Sequence, residues 1–139
     1  MLGDLIIESD KGKITGQRVL DATTGPKVES SFTMDGKYKG LDATNIGTFR
    51  STHREDGIQH VEGEGLVTAK DGQGMATWTS QGVSKSSQGK ISSRGAVFFR
   101  TPSTGNEGGK LSFLSNLVGV FEFEVDTEGN LSSKVWEWK

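Results

Sequence analysis

His60, Glu62 and Glu64 form the densest group of potential metal ligands in the sequence. On a β-strand these three side chains would share one face. Neighbours on such a face lie about 7 Å apart, whereas bonds from a metal to its ligands are about 2.0–2.2 Å long. Another strand would have to supply a further ligand, and His53 is the only other histidine. We therefore predict no metal site and interpret this face as solvated.

Other catalytic motifs have weaker support. A nucleophilic serine needs an activating base, and the sequence offers only His53 and His60 for that role, without a G-x-S-x-G motif. A haem pocket would use one of the same two histidines as its proximal ligand. The glycine-flanked segments 36–40 and 72–74 precede no predicted helix whose N-terminus could bind phosphate, so we interpret them as hairpin turns. The sequence therefore predicts no cofactor.

Carboxylates and arginines at mid-strand positions suggest a different kind of site, the polar end of an apolar cavity. A buried carboxylate needs a cationic partner, because an unpaired buried charge is costly. Glu64 or Glu122 paired with Arg94, beside Trp78 and Asn116, would suit a small amphipathic ligand. A carboxylate with a perturbed pKa could also isomerise or cyclise such a ligand. The alternative is a set of ion pairs on the outer surface.

Glycine, proline and aromatic content predicts the elements that would position these side chains. The 139 residues include 20 glycines and only 2 prolines, together with 3 tryptophans and 7 phenylalanines. Each glycine costs about 1 kcal/mol inside a helix relative to alanine, and the abundant threonine, valine and aromatic residues favour strands. A chain of this length is expected to form one domain, residues 1–139.

Turn signals divide the chain into about eight strands that are joined mostly by hairpins. The predicted extended segments are residues 13–21, 28–34, 37–41, 44–53, 58–69, 74–83, 91–101, 111–126 and 131–138. Asp35-Gly36 is one of the predicted hairpin turns, and residues 112–117 are too short and apolar to predict as a helix. Such a pattern indicates a sandwich or a barrel. We predict a closed antiparallel β-barrel, because closure removes exposed strand edges.

Alternation predicts which face of each strand lies inside the barrel. In segment 58–69 the odd positions, such as Val61 and Gly63, are small or apolar and suit a narrow interior. In segment 120–126, Phe121 and Phe123 share one face. We expect these faces to be inside and the intervening glutamates outside. A barrel with a wet lumen would have the opposite orientation, and alternation alone does not decide between the two.

Several strands are apolar on both faces, which predicts cover on the outside of the barrel. Phe98 and Phe99 are adjacent and must point to opposite faces, and segments 5–7 and 117–118 show the same pattern. A second copy of the chain or a flap from its own N-terminus could supply that cover, so a homo-oligomer is one of two expected solutions.

Five segments resemble an uncharacterised family of small bacterial proteins. They are residues 13–21 (KITGQRVLD), 44–48 (TNIGT), 76–82 (ATWTSQG), 113–122 (FLSNLVGVFE) and 135–139 (VWEWK). That family is similar in architecture to allene oxide cyclase, a small antiparallel β-barrel, and to dirigent proteins. The resemblance implies an allene oxide cyclase-like or lipocalin-like barrel of about eight strands with a central cavity, usually assembled as an oligomer. It implies no activity.

The predicted function is to bind a small, partly apolar molecule inside the barrel. The predicted ligand-binding residues are Glu64, Trp78, Arg94, Asn116, Phe121, Glu122 and Trp136. Trp136 shares a face with Trp138, and both are also expected to anchor the last strand in the core. An isomerase or cyclase of the allene oxide cyclase type is one alternative, and a filled barrel acting as a homo-oligomeric interaction module is another. A cavity of roughly 300 Å³ or more with a buried glutamate and arginine would favour binding or cyclisation over the filled barrel.

Charge and cysteine content exclude several classes of partner. Sixteen basic and eighteen acidic residues give a formal charge of −2, which favours neither nucleic acid nor an anionic membrane. There is no cysteine to form a disulfide or a thiolate metal site. The first ten residues lack the pattern of a signal peptide, and no apolar stretch approaches the ~20 residues that span a bilayer. A cytoplasmic protein is expected.

Overall fold

Eight antiparallel strands and one short 3₁₀ helix make up the computed structural model, which describes residues 1–54, 56–102 and 108–139. The strands are β1 (Leu2–Asp21), β2 (Lys27–Tyr38), β3 (Leu41–His53), β4 (Ile58–Ala69), β5 (Met75–Ser87), β6 (Lys90–Arg100), β7 (Val118–Val125) and β8 (Asn130–Trp138). The 3₁₀ helix, Gly109–Leu114, lies between β6 and β7. No helix among these residues is long and apolar enough to cross a bilayer.

The strands form a closed barrel in which each strand pairs with its neighbours in the chain and β8 pairs back onto β1. Along this last seam Leu5 lies opposite Trp136, and Ile7 lies opposite Val135. Closure provides both terminal strands with hydrogen-bonding partners, which an open sheet would not. The closed antiparallel β-barrel predicted from the sequence is confirmed.

Side chains alternate between the lumen and the outer surface. In β4, Val61 and Gly63 are buried, whereas Glu62 and Glu64 are exposed. The same parity in β7 turns its phenylalanines towards the lumen and its glutamates outwards. Of the two orientations compatible with the sequence, the structure adopts the one with apolar residues inside.

The two ends of the barrel are filled differently. At one end the 3₁₀ helix inserts Leu111 and Leu114, which are fully buried, and a backbone hydrogen bond of 2.8 Å holds the helix against the β4–β5 turn. At the other end, near the β5–β6 and β7–β8 turns, smaller polar residues such as Ser84 and Ser93 face inwards. We call these the leucine-plugged end and the serine-lined end.

The turn between β2 and β3 lies beyond Asp35-Gly36, so that predicted hairpin is wrong. β2 continues to Tyr38, and the turn is at Lys39-Gly40, where the φ angles are 50° and 84°. Gly36 has a different role in the barrel. A Cβ atom at Gly36 would lie 2.7 Å from the Cβ of Ser9, so the absence of a side chain there lets β1 bulge against β2.

Further segment boundaries also differ from the prediction, and β5, for example, ends at Ser87 rather than at residue 83. β1 begins at Leu2 rather than at residue 13, and bulges interrupt its pairing, so its residues do not alternate regularly. Residues 111–126 divide into the end of the 3₁₀ helix and β7. Leu111 and Leu114 are three positions apart, the spacing that shares one face of a 3₁₀ helix. An apolar run alone does not distinguish such a turn from a buried strand.

Candidate functional site

A cavity of about 110 Å³ occupies the lumen and is lined by residues from all eight strands. Tyr38 and Phe99 bound it towards the leucine-plugged end, aromatic rings surround its middle, and hydroxyl groups predominate towards the serine-lined end. The lining therefore changes along the barrel axis from apolar to polar. Such a gradient suits a molecule with an apolar body and a polar end.

Four aromatic residues from different strands form the middle of the lumen, and we call them the aromatic cage. Phe32 has its ring centroid 6.0 Å from that of Phe49 and 6.2 Å from that of Trp78. Phe123 approaches Phe32 and Phe49 edge-on, at 5.8 and 5.9 Å. These separations are those of favourable aromatic pairs. The cage offers both ring faces and ring edges to a bound molecule.

Glycines on β3 and β4 make room for the largest ring of the cage. A Cβ atom at Gly47 would lie 2.6 Å from the Phe32 ring and 2.8 Å from the Trp78 ring, and one at Gly65 would overlap the Trp78 indole. The Trp78 indole consequently approaches the backbone of both strands closely. Gly47 and Gly65 thus provide the space that the aromatic rings occupy in the lumen.

Asn45 fixes the orientation of the Trp78 ring. The indole Nε1–H donates a hydrogen bond of 2.7 Å to Oδ1 of Asn45. Because an indole nitrogen only donates, this bond also sets the Asn45 amide, leaving its Nδ2 group as a donor. Asn45 lines the cavity, so this donor lies at the wall of the aromatic cage.

Serines supply most of the polar groups in the lumen. Ser84 and Ser93, on adjacent strands, share a hydrogen bond of 2.8 Å between their hydroxyl oxygens, and both are buried. Ser9 donates to the backbone carbonyl of Asp35. A hydroxyl has one donor and two acceptor sites, so each of these pairs keeps capacity for a further bond. The serine-lined end can therefore bind a polar group without any charge.

Tyr38 is the only residue with a titratable side chain among the described residues that line the cavity. It is 4% exposed, and burial raises the pKa of its hydroxyl above the ordinary value. The hydroxyl is therefore protonated at neutral pH.

The charged residues predicted for the cavity lie on the outer surface instead. Glu64 is exposed and pairs with Arg50 across 2.9 Å. Glu122 and Arg94 are also exposed and lie opposite each other on β7 and β6. The reason is parity, because all three occupy the even positions that alternation turns away from the lumen. Their predicted placement inside the cavity is wrong, and of the three, Glu64 forms the outer ion pair that the alternative describes.

Asn116 and Trp136 also lie outside the cavity. Asn116 follows the 3₁₀ helix, is exposed and has a φ angle of 56°. Trp136 is half-buried and Trp138 is 57% exposed, because the inward positions of β8 are taken by Leu131 and Val135. The tryptophans therefore do not anchor β8 in the core as expected. Of the seven predicted ligand-binding residues, the structure brings Trp78 and Phe121 to the cavity.

Several cavity residues were missed at the sequence level, chiefly Phe32, Asn45, Phe49 and Tyr38. The sequence analysis predicts their strands but does not assign which faces of β2 and β3 point inwards. The alternation of Ser30, Phe32 and Met34 could have identified the inward face of β2, and continuous pairing would then have assigned β3. No group of three or more residues that could hold a metal ion occurs within residues 1–54, 56–102 and 108–139.

Comparison with protein-family models and with curated proteins finds no match. Among solved structures, the chain is similar to a conserved protein of unknown function from Rhodopseudomonas palustris. The two share 14% sequence identity with a TM-score of 0.75, over 99% of this chain and 97% of that chain. At this identity the likeness shows a common fold and nothing about activity.

Proposed function

We propose that the barrel binds one small, neutral molecule about the size of a single aromatic ring. The observation that carries this proposal is the cavity of about 110 Å³ at the aromatic cage. An engineered apolar cavity of about 150 Å³ binds benzene, whereas sites for drug-sized ligands measure roughly 300–1,000 Å³. The lumen is smaller than the cavity of roughly 300 Å³ expected for a binding or cyclising barrel, and the described residues of its lining include no buried glutamate or arginine. A neutral ligand of one ring is therefore favoured over a larger or charged one.

Neutrality follows from the composition of the lining. No Asp, Glu, His, Lys or Arg occurs among the described residues that line the cavity. A carboxylate or ammonium group in this lumen would lose its hydration without gaining an ion-pair partner, which is costly. A hydroxyl or carbonyl group, in contrast, could bond to Ser84, Ser93 or the Nδ2 group of Asn45.

Binding is favoured over catalysis by the same lining. The glutamates that would steer charge in a cyclase-type reaction, Glu64 and Glu122, are exposed on the outer surface. Tyr38, the titratable group of the described lining, is held in its neutral form by burial, which raises its pKa. Neutral hydrogen-bonding groups position a ligand but supply little driving force for proton transfer. We therefore propose a binding protein rather than an isomerase.

A pair of matched probes tests the proposal. 4-Methylphenol and 4-methylbenzoate share a ring and a methyl group, but at pH 7 only the second is charged. The ¹H–¹⁵N resonance of the Trp78 indole reports on the cage. We expect 4-methylphenol to shift this resonance saturably at sub-millimolar to millimolar concentration, and 4-methylbenzoate to leave it unchanged. Equal responses to the two probes, or none to either, would refute the proposal.

Two variants on β5 distinguish binding in the lumen from binding on the outer surface. Ser80→Leu adds bulk to the cavity, whereas Thr79→Leu adds the same side chain to the outer face of β5. The first is expected to abolish binding of 4-methylphenol and the second to preserve it. Overpacking can cost about 1–3 kcal/mol, so the folded state of S80L is first verified by its amide spectrum.

A further inference from the structure

An apolar patch covers the outer surface where β6, β7, β8 and β1 meet, at the leucine-plugged end. Trp136 lies at its centre, opposite Leu5 on β1 and Val120 on β7. Phe98 on β6 lies opposite Val118 on β7, one row nearer the barrel end. We call the outer surface of these residues, together with Leu2, Ala96 and Trp138, the tryptophan face.

The tryptophan face is more apolar than the rest of the outer surface. Leu5 is 44% exposed, Phe98 47% and Trp138 57%. Of the large exposed hydrophobic residues elsewhere, Ile46 on β3 and Val83 on β5 are flanked along their strands by polar residues or glycine. Val19 and Leu20 on β1 form a single pair between Arg18 and Asp21. Contiguous exposed apolar patches mark interaction surfaces, whereas scattered residues do not.

A row of alternating charges borders the tryptophan face on the side towards the serine-lined end. In order across β1, β8, β7 and β6 it contains Glu8, Lys134, Glu122 and Arg94. All four are exposed, and Lys134 Nζ lies 3.8 Å from Glu8 Oε2. The signs run minus, plus, minus, plus. Read in the opposite direction, this row is its own electrostatic complement.

We propose that the tryptophan face packs against the same face of a second copy of the chain, about a two-fold axis parallel to β7 and β8. In this arrangement β8 of each copy lies over β7 of the other. Trp136 then meets Val120, Trp138 meets Val118, and Lys134 meets Glu122 across the interface. A two-fold interface must be self-complementary, and the charged row satisfies that condition.

The chemistry of the face favours a second copy over other occupants. Stable interfaces bury about 800 Å² per partner and are anchored by tryptophan and other aromatic residues. The mixed charges would not attract an anionic lipid surface, which selects clustered lysine and arginine. The lumen takes no part in this contact, so failure of the dimer proposal would leave the proposed ligand site untouched, and the reverse also holds.

Charge reversal and mixing test the register of the dimer. K134E and E122K each place like charges across the interface twice, so each variant alone is expected to dimerise at least tenfold more weakly than the parent chain. Mixing the two variants restores opposite charges at both contacts, and a heterodimer should form with near-parental affinity. Each substitution also places like charges side by side within its own chain, and mixing does not remove these. Recovery of dimerisation in the mixture therefore reports on the contact between the chains. Native mass spectrometry resolves the species.

A matched pair of apolar substitutions tests the location of the face. Phe98→Ser is expected to shift the equilibrium to monomer in sedimentation velocity, whereas Ile46→Ser, at a more exposed position on β3, should leave the dimer unchanged. A parent chain that is monomeric at 100 µM would overturn the proposal, as would a trimer. A monomer whose tryptophan emission shifts to shorter wavelength on phosphatidylcholine vesicles would assign the face to lipid and overturn it too.

Discussion

The two ends of the barrel are made from the same eight strands but are filled differently. At the leucine-plugged end, Leu111 and Leu114 are fully buried. At the serine-lined end, Ser84 and Ser93 leave hydroxyl groups facing the cavity, and Phe123 stays partly exposed. Filling one end provides the apolar burial that stabilises the fold. Because that burial is provided at the plugged end, the serine-lined end can retain the cavity in which we propose that a ligand binds.

The largest expected effect comes from emptying the plug. Leu114→Ala removes a fully buried side chain, and such changes typically cost about 2–5 kcal/mol of unfolding free energy. Leu20→Ala, near the opposite end and 38% exposed, is the matched control and should change stability by about 0.5 kcal/mol or less. Urea unfolding at a common m-value measures both. Similar losses in the two variants would show that the plug has no special role.

A smaller loss of stability is expected between the two ends, where the Trp78 ring of the aromatic cage approaches the backbone of β4. Gly65→Ala would place a methyl group within the Trp78 indole and should destabilise the barrel by about 1–3 kcal/mol. Gly16→Ala is the control, because no atom lies within 4 Å of a Cβ there. That change should be neutral or stabilising by up to about 1 kcal/mol. Thermal unfolding distinguishes the two, and a G65A protein as stable as the parent would contradict the close approach.

The fold could be predicted from the sequence to a greater extent than the site. Strand β4 was predicted with its observed bounds, because Asp-Gly turns flank a run whose parity is unbroken from Ile58 to Ala69. The inward face of β7 followed from the same parity. The same alternation places Glu64 on the outer face of β4, where the structure has it. Its alternative placement in the cavity would have required the even positions of β4 to face inwards.

Long-range contacts account for what the sequence did not reveal. The bulge of β1 between Glu8 and Lys11 lies against Gly36, whose glycine-specific role arises from its contact with Ser9 on the paired strand. The aromatic cage joins Phe32, Trp78 and Phe123 from β2, β5 and β7, which are brought together only by closure. Turn signals and periodicity are local, so they identify strands without showing which side chains meet across the lumen.

The hydroxyl pair at the serine-lined end should contribute less to stability than the plug. Ser84→Ala leaves the Ser93 hydroxyl without its 2.8 Å partner and is expected to cost about 1 kcal/mol. Ser86→Ala, exposed on the same strand, serves as the control and should be neutral. The double variant S84A/S93A should recover part of the loss, because no orphaned hydroxyl remains. A loss in S84A as large as that in L114A would remove the difference between the two ends.

The smallest expected effect lies in the β1–β2 turn, also at the serine-lined end. The backbone N–H of Thr23 and the hydroxyls of Thr24 and Thr23 donate hydrogen bonds to Asp21 and lower the pKa of its carboxyl from 3.8 to about 2. A carboxyl with a depressed folded-state pKa stabilises the fold at pH values above its unfolded-state pKa. That contribution declines as the pH falls from about 4 towards 2. In ¹³C NMR, the Asp21 carboxyl should therefore titrate near pH 2, and the stability difference between the parent and Asp21→Asn should shrink over this range. Titration near pH 4 would mean that the hydrogen bonds of the turn do not stabilise the carboxylate. The Asp21 turn would then contribute no pH-dependent stability to the serine-lined end.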